Sequence, residues 1–281
     1  NQENNKKNPN GSILNTMRDF TLQSYERLIC TLKEQGYTFL TFEEFCSNRE
    51  RFLQTPERWV ILRHDVDKKA YNSLKVAQIE ASLGVKATYF FRVTKGSNCP
   101  DMIRSIVTLG HEVGYHYEDM AIAKGDVAVA IKHFVDKVAY FRQFYPVRTI
   151  CMHGAPTSQW DGKLLWQTYD YHDYDLLGEP YLDVDYSNVF YLTDTGRCWD
   201  GYKVSVRDKI PTYQDLWIEQ GLTYHSTDDI VQGLSKNGLP SKIMITTHPQ
   251  RWTNNWMEWG YELLAQNTKN VIKKCLIRLR K

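Results

Sequence analysis

The sequence lacks a strong charge imbalance and any long apolar run. Its 35 basic and 33 acidic residues leave a formal charge of +2 over 281 residues. Nothing in this balance indicates a polyanionic partner, so nucleic-acid binding is not expected. No run approaches the length of a transmembrane helix, and no charged-then-apolar signal peptide is visible, so no membrane span is expected.

Closely spaced cysteine pairs are also missing. The six cysteines are dispersed along the chain, and no two of them form a Cys-x-x-Cys motif. This usage favours reduced thiols in a cytoplasmic protein and argues against a zinc site built from cysteines. The chain does not begin with Met, so the expected cytoplasmic location leaves open a removed targeting segment. No feature indicates the oligomeric state.

What the sequence does contain is an alternation of strand and helix patterns. Residues 1–12 are polar and Asn-rich, which predicts a disordered arm. The remainder, residues 13–281, is predicted to form a single α/β domain with a parallel sheet or barrel. Residues 160–208 mix polar and short apolar runs, and their topology is not assigned. The predicted strands cover residues 57–67, 85–93, 111–118, 149–152 and 241–247.

Two carboxylates end the first confident strand. The apolar run from Val60 breaks into Arg-His-Asp-Val-Asp, which places Asp65 and Asp67 two positions apart. Residues two apart on a strand point the same way, and the carboxyl ends of parallel strands are where α/β proteins bind ligands. Such a pair indicates a cation site or a shared proton. The alternative is a solvated pair that caps the following helix.

The ends of three further strands carry imidazoles and another carboxylate. In a barrel these ends meet on one face, although each His alone is more often a hydrogen-bonded structural residue. A mixture of imidazole and carboxylate suits zinc or a similar divalent ion with an open position for water. The residues concerned are His116, Glu118, His153 and His248.

At four places the sequence resembles the polysaccharide deacetylase family, carbohydrate esterase family 4. The resemblance covers residues 58–252, is weakest between 157 and 240, and implies a distorted (β/α) barrel. Residues 63–67 resemble the Asp-x-Asp variant of the first motif, and residues 85–91 resemble the strand that follows it. Residues 110–116 (GHEVGYH) are similar to the run into the second motif, and residues 245–249 (ITTHP) to the last motif.

The resemblance implies roles for four residues. Asp65 would be the general base, His248 the general acid, and Asp67 and His116 ligands of a divalent metal, with zinc the expected ion. The second motif of the family has another His four residues after the first, but here that position is Met120, and a thioether is a poor zinc ligand.

Two residues could replace the missing ligand. Glu118 points the same way as His116 if the strand continues, and His153 could enter from the next strand end. Glu118 is slightly favoured, and the alternative is that Glu118 pairs with a nearby Arg. His153 and Trp252 are also candidate substrate-binding residues, because aromatic rings beside a polar cleft suit stacking on sugars. A simple core position for such a ring is the competing interpretation.

The sequence therefore predicts a metal-dependent hydrolase that deacetylates an N-acetylated sugar or glycan precursor in surface-polysaccharide (capsule or O-antigen) biosynthesis. One alternative is a silent carbohydrate-binding or scaffold protein that keeps a degenerate barrel. Another is an amidase acting on a small non-sugar amide. No feature identifies the sugar or the acyl group.

Overall fold

A computed structural model describes the backbone of residues 18–279 and the side chains of residues 18–272. The predicted disordered arm, residues 1–12, lies outside the described residues. None of the helices in residues 18–279 combines the length and the apolar composition that a bilayer crossing requires.

The described chain contains a seven-stranded sheet in which every pair of neighbouring strands is parallel. Its hydrogen-bonded path runs β5-β4-β3-β2-β7-β6, and β1 pairs with the first half of β2. Over the described residues this path does not close between β5 and β6, so the sheet is an open, distorted (β/α) barrel, as predicted. The strands are β1 (Thr38–Leu40), β2 (Trp59–Val66), β3 (Thr88–Phe91), β4 (Glu112–Tyr117), β5 (Ile150–Met152), β6 (Phe190–Thr193) and β7 (Lys242–Thr247).

Helices connect and cover these strands. Four short 3₁₀ helices lie in the loops, three of them between β5 and α9. The α-helices are α1 (Leu22–Glu34), α2 (Phe42–Ser47), α3 (Arg49–Gln54), α4 (Ala70–Ser82), α5 (Pro100–Thr108), α6 (Asp119–Ile122), α7 (Val127–Phe141), α8 (Pro180–Asp183), α9 (Pro211–Glu219), α10 (Thr227–Ser235) and α11 (Trp256–Leu279).

The central strand β2 explains why this architecture forms. All eight of its residues are buried, and it pairs with β3 and β7 as well as with β1. A strand covered on both faces reads as a nearly continuous apolar run, which is typical of parallel sheets. Helix α1 begins with a capping box between Thr21 and Ser24, and Gly36 follows its end with a φ of 77° that favours glycine.

Several elements were not predicted. Within residues 160–208 the structure contains β6, α8 and 3₁₀ helices, and α9 and α10 follow. Strand β6 is only four residues long, but it pairs with β7 and adds one more strand end to the carboxyl edge of the sheet. That edge carries the candidate site.

Candidate active site and metal centre

A cavity of about 500 Å³ lies at the carboxyl edge of the sheet. Five residues singled out from the sequence line it, from the ends of four different strands. Side chains from the loop after β6 and from α11 complete the wall. The lining includes Asp65, Asp67, Arg92, His116, His153, Asp208, His248, Gln266 and Lys269.

Asp65 is held in one orientation by Arg63, two residues earlier on β2. The guanidinium donates from Nε to Oδ1 at 2.8 Å and from Nη2 to Oδ2 at 2.6 Å. Both side chains are buried, and the Arg63 guanidinium lies 5.0 Å from the ring centroid of Tyr181. A bidentate pair of this kind fixes both the direction and the charge of the carboxylate. Asp65 Oδ2 also lies 3.6 Å from His116 Nε2.

Asp67 carries a buried oxygen, Oδ1, that has no hydrogen-bond partner. This atom lies 3.7 Å from His116 Nε2 and 3.5 Å from His153 Nε2. Burial raises the pKa of Asp67, but the neighbouring His153, His248 and His116 outweigh it and hold the pKa well below its usual range. An anionic oxygen buried without a partner is costly unless a cation or a donor is present.

The hydrogen bonds of the two imidazoles direct one nitrogen of each toward Asp67. His116 Nδ1 donates to the carbonyl oxygen of Cys151 at 2.9 Å, and His153 Nδ1 donates to Glu118 Oε2 at 3.0 Å. Carbonyl and carboxylate oxygens only accept, so each Nδ1 carries a proton, and Nε2 presents a lone pair when the imidazole is neutral. Burial lowers the pKa of His116 to about 4 and keeps this imidazole neutral.

Asp67 Oδ1 lies near both Nε2 atoms, so these three groups are the candidate ligands for a divalent cation on the cavity side, but their three ligand atoms do not all lie within 4.8 Å of one another. Tetrahedral zinc bonds of about 2.0–2.1 Å place neighbouring ligand atoms roughly 3.3 Å apart. The two separations from Asp67 Oδ1, 3.7 and 3.5 Å, are only slightly wider. An oxygen and two imidazole nitrogens are a ligand set that zinc accepts while it keeps a position open.

A second cluster contains a cysteine. Asp65, His116 and Cys151 present ligand atoms that all lie within 4.8 Å of one another. Arg63 already occupies both oxygens of Asp65, and its positive charge opposes a cation there. Cys151 is fully buried, burial raises the pKa of its thiol well above the usual value, and it does not line the cavity. We therefore prefer the set that faces the cavity.

Glu118, which the sequence interpretation favoured as a metal ligand, does not line the cavity. Its Oε1 accepts from Nε and Nη2 of Arg92, and its Oε2 accepts from Arg92 Nη2 and from His153. A carboxylate has about four acceptor positions, and these contacts use them. Burial raises the pKa of Glu118, but His153 and Arg92 lower it to about 2. These contacts do not support the expectation that Glu118 is a ligand: Glu118 orients His153, which is the better placed candidate for the third ligand.

Met120 contributes no ligand. Its side chain is buried in the hydrophobic core. His153, from the end of the neighbouring strand β5, brings its Nε2 to 3.5 Å from Asp67 Oδ1.

His248 lies across the cavity from Arg92 and is held by a carboxylate that the sequence interpretation missed. Its Nδ1 donates to Asp194 Oδ1 at 2.6 Å, and its backbone N–H donates to Asp194 Oδ2 at 3.0 Å. Its Nε2 lies 3.9 Å from Asp67 Oδ2. Burial and the nearby Arg251 lower the pKa of His248, but Asp194 and Asp67 outweigh them and raise it above the ordinary value.

Trp252 is not a substrate-binding residue, so that prediction is wrong. Its side chain is 0% exposed and packs against Phe20, Tyr25 and Trp199. Its Nε1 donates to Asp194 Oδ2 at 2.8 Å. The ring therefore supports the carboxylate that holds His248 and leaves no face for a sugar.

The sequence interpretation missed four further residues of the site. Arg63 could have been found, because it precedes Asp65 by two positions on the same strand. Asp194 follows the apolar run 189–193, which is a short strand signal. Nothing local marks Asp208, which accepts hydrogen bonds from two tyrosines and two threonines, or Arg92.

No family model and no curated protein matches the sequence, whereas several solved structures do. The chain is similar to the deacetylase PplD of Streptococcus pyogenes in complex with acetate, at 14% identity and a TM-score of 0.43. That match covers 52% of this chain and 66% of PplD, just under two thirds of its length.

Two other structures are similar over more of the chain. A family 4 carbohydrate esterase of Streptomyces lividans in complex with acetate matches at 18% identity and a TM-score of 0.39, covering 77% of this chain and 87% of the esterase. A family 4 pseudoenzyme of Bacillus anthracis matches at 13% identity and a TM-score of 0.42, covering 78% of this chain and 62% of that one. These matches thus include members of the family whose motifs the sequence resembles, but they say nothing about the activity of this chain.

Proposed function

We propose that the protein is a metal-dependent hydrolase that removes an acetyl group from an N-acetylated sugar or glycan precursor. The observation that carries the proposal is the Asp67 oxygen that makes no hydrogen bond and faces Nε2 of two imidazoles, each of which is oriented by a hydrogen bond from its Nδ1. Asp65 and His248 flank this point within the same cavity. A cation site between a carboxylate and an imidazole is the arrangement that amide hydrolysis needs.

Each residue has a role in this proposal. A divalent cation held by Asp67, His116 and His153 would polarise the carbonyl of the scissile amide. Asp65, oriented by Arg63, accepts the proton of the attacking water. His248, oriented by Asp194, donates a proton to the departing nitrogen through Nε2. Asp194 and Glu118 each keep an imidazole in the tautomer that its role requires.

The substrate class follows from the shape of the site and from the motif resemblance. A cavity of about 500 Å³ has the size of small-molecule sites and holds a sugar unit. Its wall combines apolar surface with charged side chains that can bind hydroxyl groups. We place the substrate among the N-acetylated sugars or glycan precursors of surface polysaccharides, with zinc as the expected ion.

One observation favours a second function, a silent carbohydrate-binding protein. Met120 stands where the resembled family has a second ligand, and it lies in the core. This reading requires that no cation binds, so metal content separates the two proposals.

The test uses purified protein loaded with zinc and assayed for acetate release from N-acetylated saccharides. Asp65→Asn should lower turnover by about a thousandfold or more while zinc content is unchanged, because the amide keeps its shape but accepts no proton. Asp67→Asn should lose both zinc and turnover. Asp101→Asn, at an exposed carboxylate that does not line the cavity, is the matched control and should behave like the wild type.

His248→Ala tests the acid role separately. It should slow cleavage of an acetamide far more than cleavage of an activated acetate ester, whose leaving group needs no proton. Near-normal amidase activity of Asp65→Asn would defeat the assigned base. A wild-type protein that binds no zinc even after the metal is added would favour the silent protein.

A further inference from the structure

The long helix α11 exposes an apolar face. It contacts the rest of the protein through Glu262 and Gln266, which are buried, and through Trp259, whose Nε1 donates to the carbonyl oxygen of Asp19 at 2.7 Å. Glu262 pairs with Lys68 at 3.0 Å. Several outward positions of the helix are apolar. The side chains of Met257, Tyr261, Leu264, Val271 and Ile272 are 54–71% exposed. Soluble helices normally direct such residues inward.

The exposed apolar residues form one continuous surface. Positions 257, 261, 264, 271 and 272 are separated by steps of three, four and seven or eight, so they lie on one face of the 24-residue helix. A helix of this length extends about 36 Å. Trp256, which is 68% exposed, stands at its first turn. Contiguous apolar surface of this extent marks an interaction site.

The charge of the same helix indicates what covers this face. The first two turns of α11 contain Glu258 and Glu262, whereas residues 263–281 contain six basic residues and no acidic residue. A helix with an apolar face, aromatic residues and a surplus of Lys and Arg is typical of segments that lie in the headgroup region of an anionic bilayer. Interfaces between protein copies are instead depleted in Lys.

The face adjoins the candidate active site. Ile272 belongs to the exposed apolar surface and also lines the cavity, together with Lys269. A surface that covers the apolar face of α11 therefore reaches the mouth of the cavity.

We propose that the exposed apolar face of α11 lies flat on an anionic phospholipid surface. This contact holds the cavity mouth at that surface. The helix does not cross the bilayer. Its apolar side chains enter the headgroup boundary, and the surplus of Lys and Arg in residues 263–281 attracts anionic lipids.

Co-sedimentation with vesicles tests the proposal. The full chain should bind vesicles of phosphatidylcholine with 30% phosphatidylglycerol, should bind pure phosphatidylcholine at least tenfold more weakly, and should lose binding in 0.5 M salt. Leu264→Glu with Val271→Glu should lower the partition coefficient at least tenfold. The matched control, Val129→Glu with Leu216→Glu, changes two exposed apolar residues on other helices and should bind like the wild type.

Charge and activity are tested with two further variants. Lys273→Glu with Lys274→Glu should remove most of the preference for phosphatidylglycerol. Asp65→Asn should bind vesicles normally, which separates this proposal from the proposed function. Circular dichroism and the thermal midpoint establish that each variant is folded.

Two outcomes would overturn the proposal. One is equal vesicle binding by the wild type and the Leu264→Glu/Val271→Glu variant. The other is a stable dimer by light scattering that this variant converts to monomer, with no vesicle binding, because a second copy would then cover the face.

Discussion

Strand β2 separates two polar networks that use the same residue types for different purposes. His64 and Asp65 are adjacent, so their side chains leave the strand on opposite faces. On one face His64 joins a network centred on Glu80, which we call the closed network. On the other face Asp65 and Asp67 line the cavity, which we call the open network. Both contain buried carboxylates and imidazoles.

The buried polar groups of the closed network form hydrogen bonds with one another. Glu80 accepts hydrogen bonds from His64 at 2.7 Å, from Tyr89 at 2.5 Å and from Tyr25. His64 Nδ1 is bonded to Thr247 at 2.6 Å. Burial raises the pKa of Glu80, but His64 outweighs it and lowers the pKa below the usual value.

The open network leaves one anionic oxygen unpartnered, at Asp67 Oδ1 beside a cavity of about 500 Å³. Fully paired buried charges hold a fold together, whereas an unpaired one beside open space indicates a ligand. The two networks contain the same residue types. They differ in whether their buried polar atoms are paired within the protein, and this difference distinguishes a structural network from a functional one.

The largest expected difference between the two networks appears when each loses its central carboxylate. Glu80→Ala should lower the free energy of unfolding by about 3–5 kcal/mol, because His64 and two tyrosines then remain buried without their partner. Asp67→Ala should abolish zinc binding and activity but cost little stability without metal. Urea denaturation and elemental analysis of both variants, prepared without metal, measure the two effects. Equal loss of stability in both would break the distinction.

A smaller effect tests how Glu118 orients the imidazole of His153 in the open network. Glu118→Gln should weaken zinc affinity about 10–100-fold, because the amide no longer enforces the tautomer of His153. Cys151→Ala should leave zinc affinity within about threefold of the wild type if the ion is bound on the cavity side. Competition with a chromogenic chelator measures both constants. A large loss with Cys151→Ala would instead support the cluster of Asp65, His116 and Cys151.

A further effect concerns Glu112, a buried carboxylate outside the closed network that is paired with no cation among the described residues. Burial raises the pKa of Glu112, which accepts from the hydroxyls of Thr88 and Thr149, to about 7. Between about pH 4.5 and 7 the folded state holds a proton on Glu112 that the unfolded state has released. The contribution of Glu112 to stability therefore falls as the pH rises, by at most about 1.4 kcal/mol per pH unit.

Glu112→Gln should remove this dependence. The difference in unfolding free energy, variant minus wild type, should increase from pH 4.5 to 7 and then level off. Urea denaturation at intervals of half a pH unit measures it. Parallel stability curves for the two proteins would contradict the raised pKa.

Local pattern was enough to predict most of the fold. The strand predicted over residues 57–67 is β2, Trp59–Val66, and the strand predicted over residues 241–247 is β7, Lys242–Thr247. Both are runs of apolar and β-branched residues that lead into polar side chains. Strand β6 and the helices α9 and α10 were not predicted, because their segments are short and mix polar with apolar residues. Pairing with β7, which no local pattern encodes, forms β6.

The sequence by itself determined which chemical groups stand at the strand ends. Asp65, Asp67, His116 and His248 were identified because a strand has a period of two and parallel strands end on one edge. Only the tertiary structure decided that His153 faces Asp67 while Glu118 supports it, and that Trp252 is buried behind Asp194. The reason is that these roles depend on which partner occupies each lone pair. Arg92, 26 residues before Glu118, takes the acceptor positions that a metal would need.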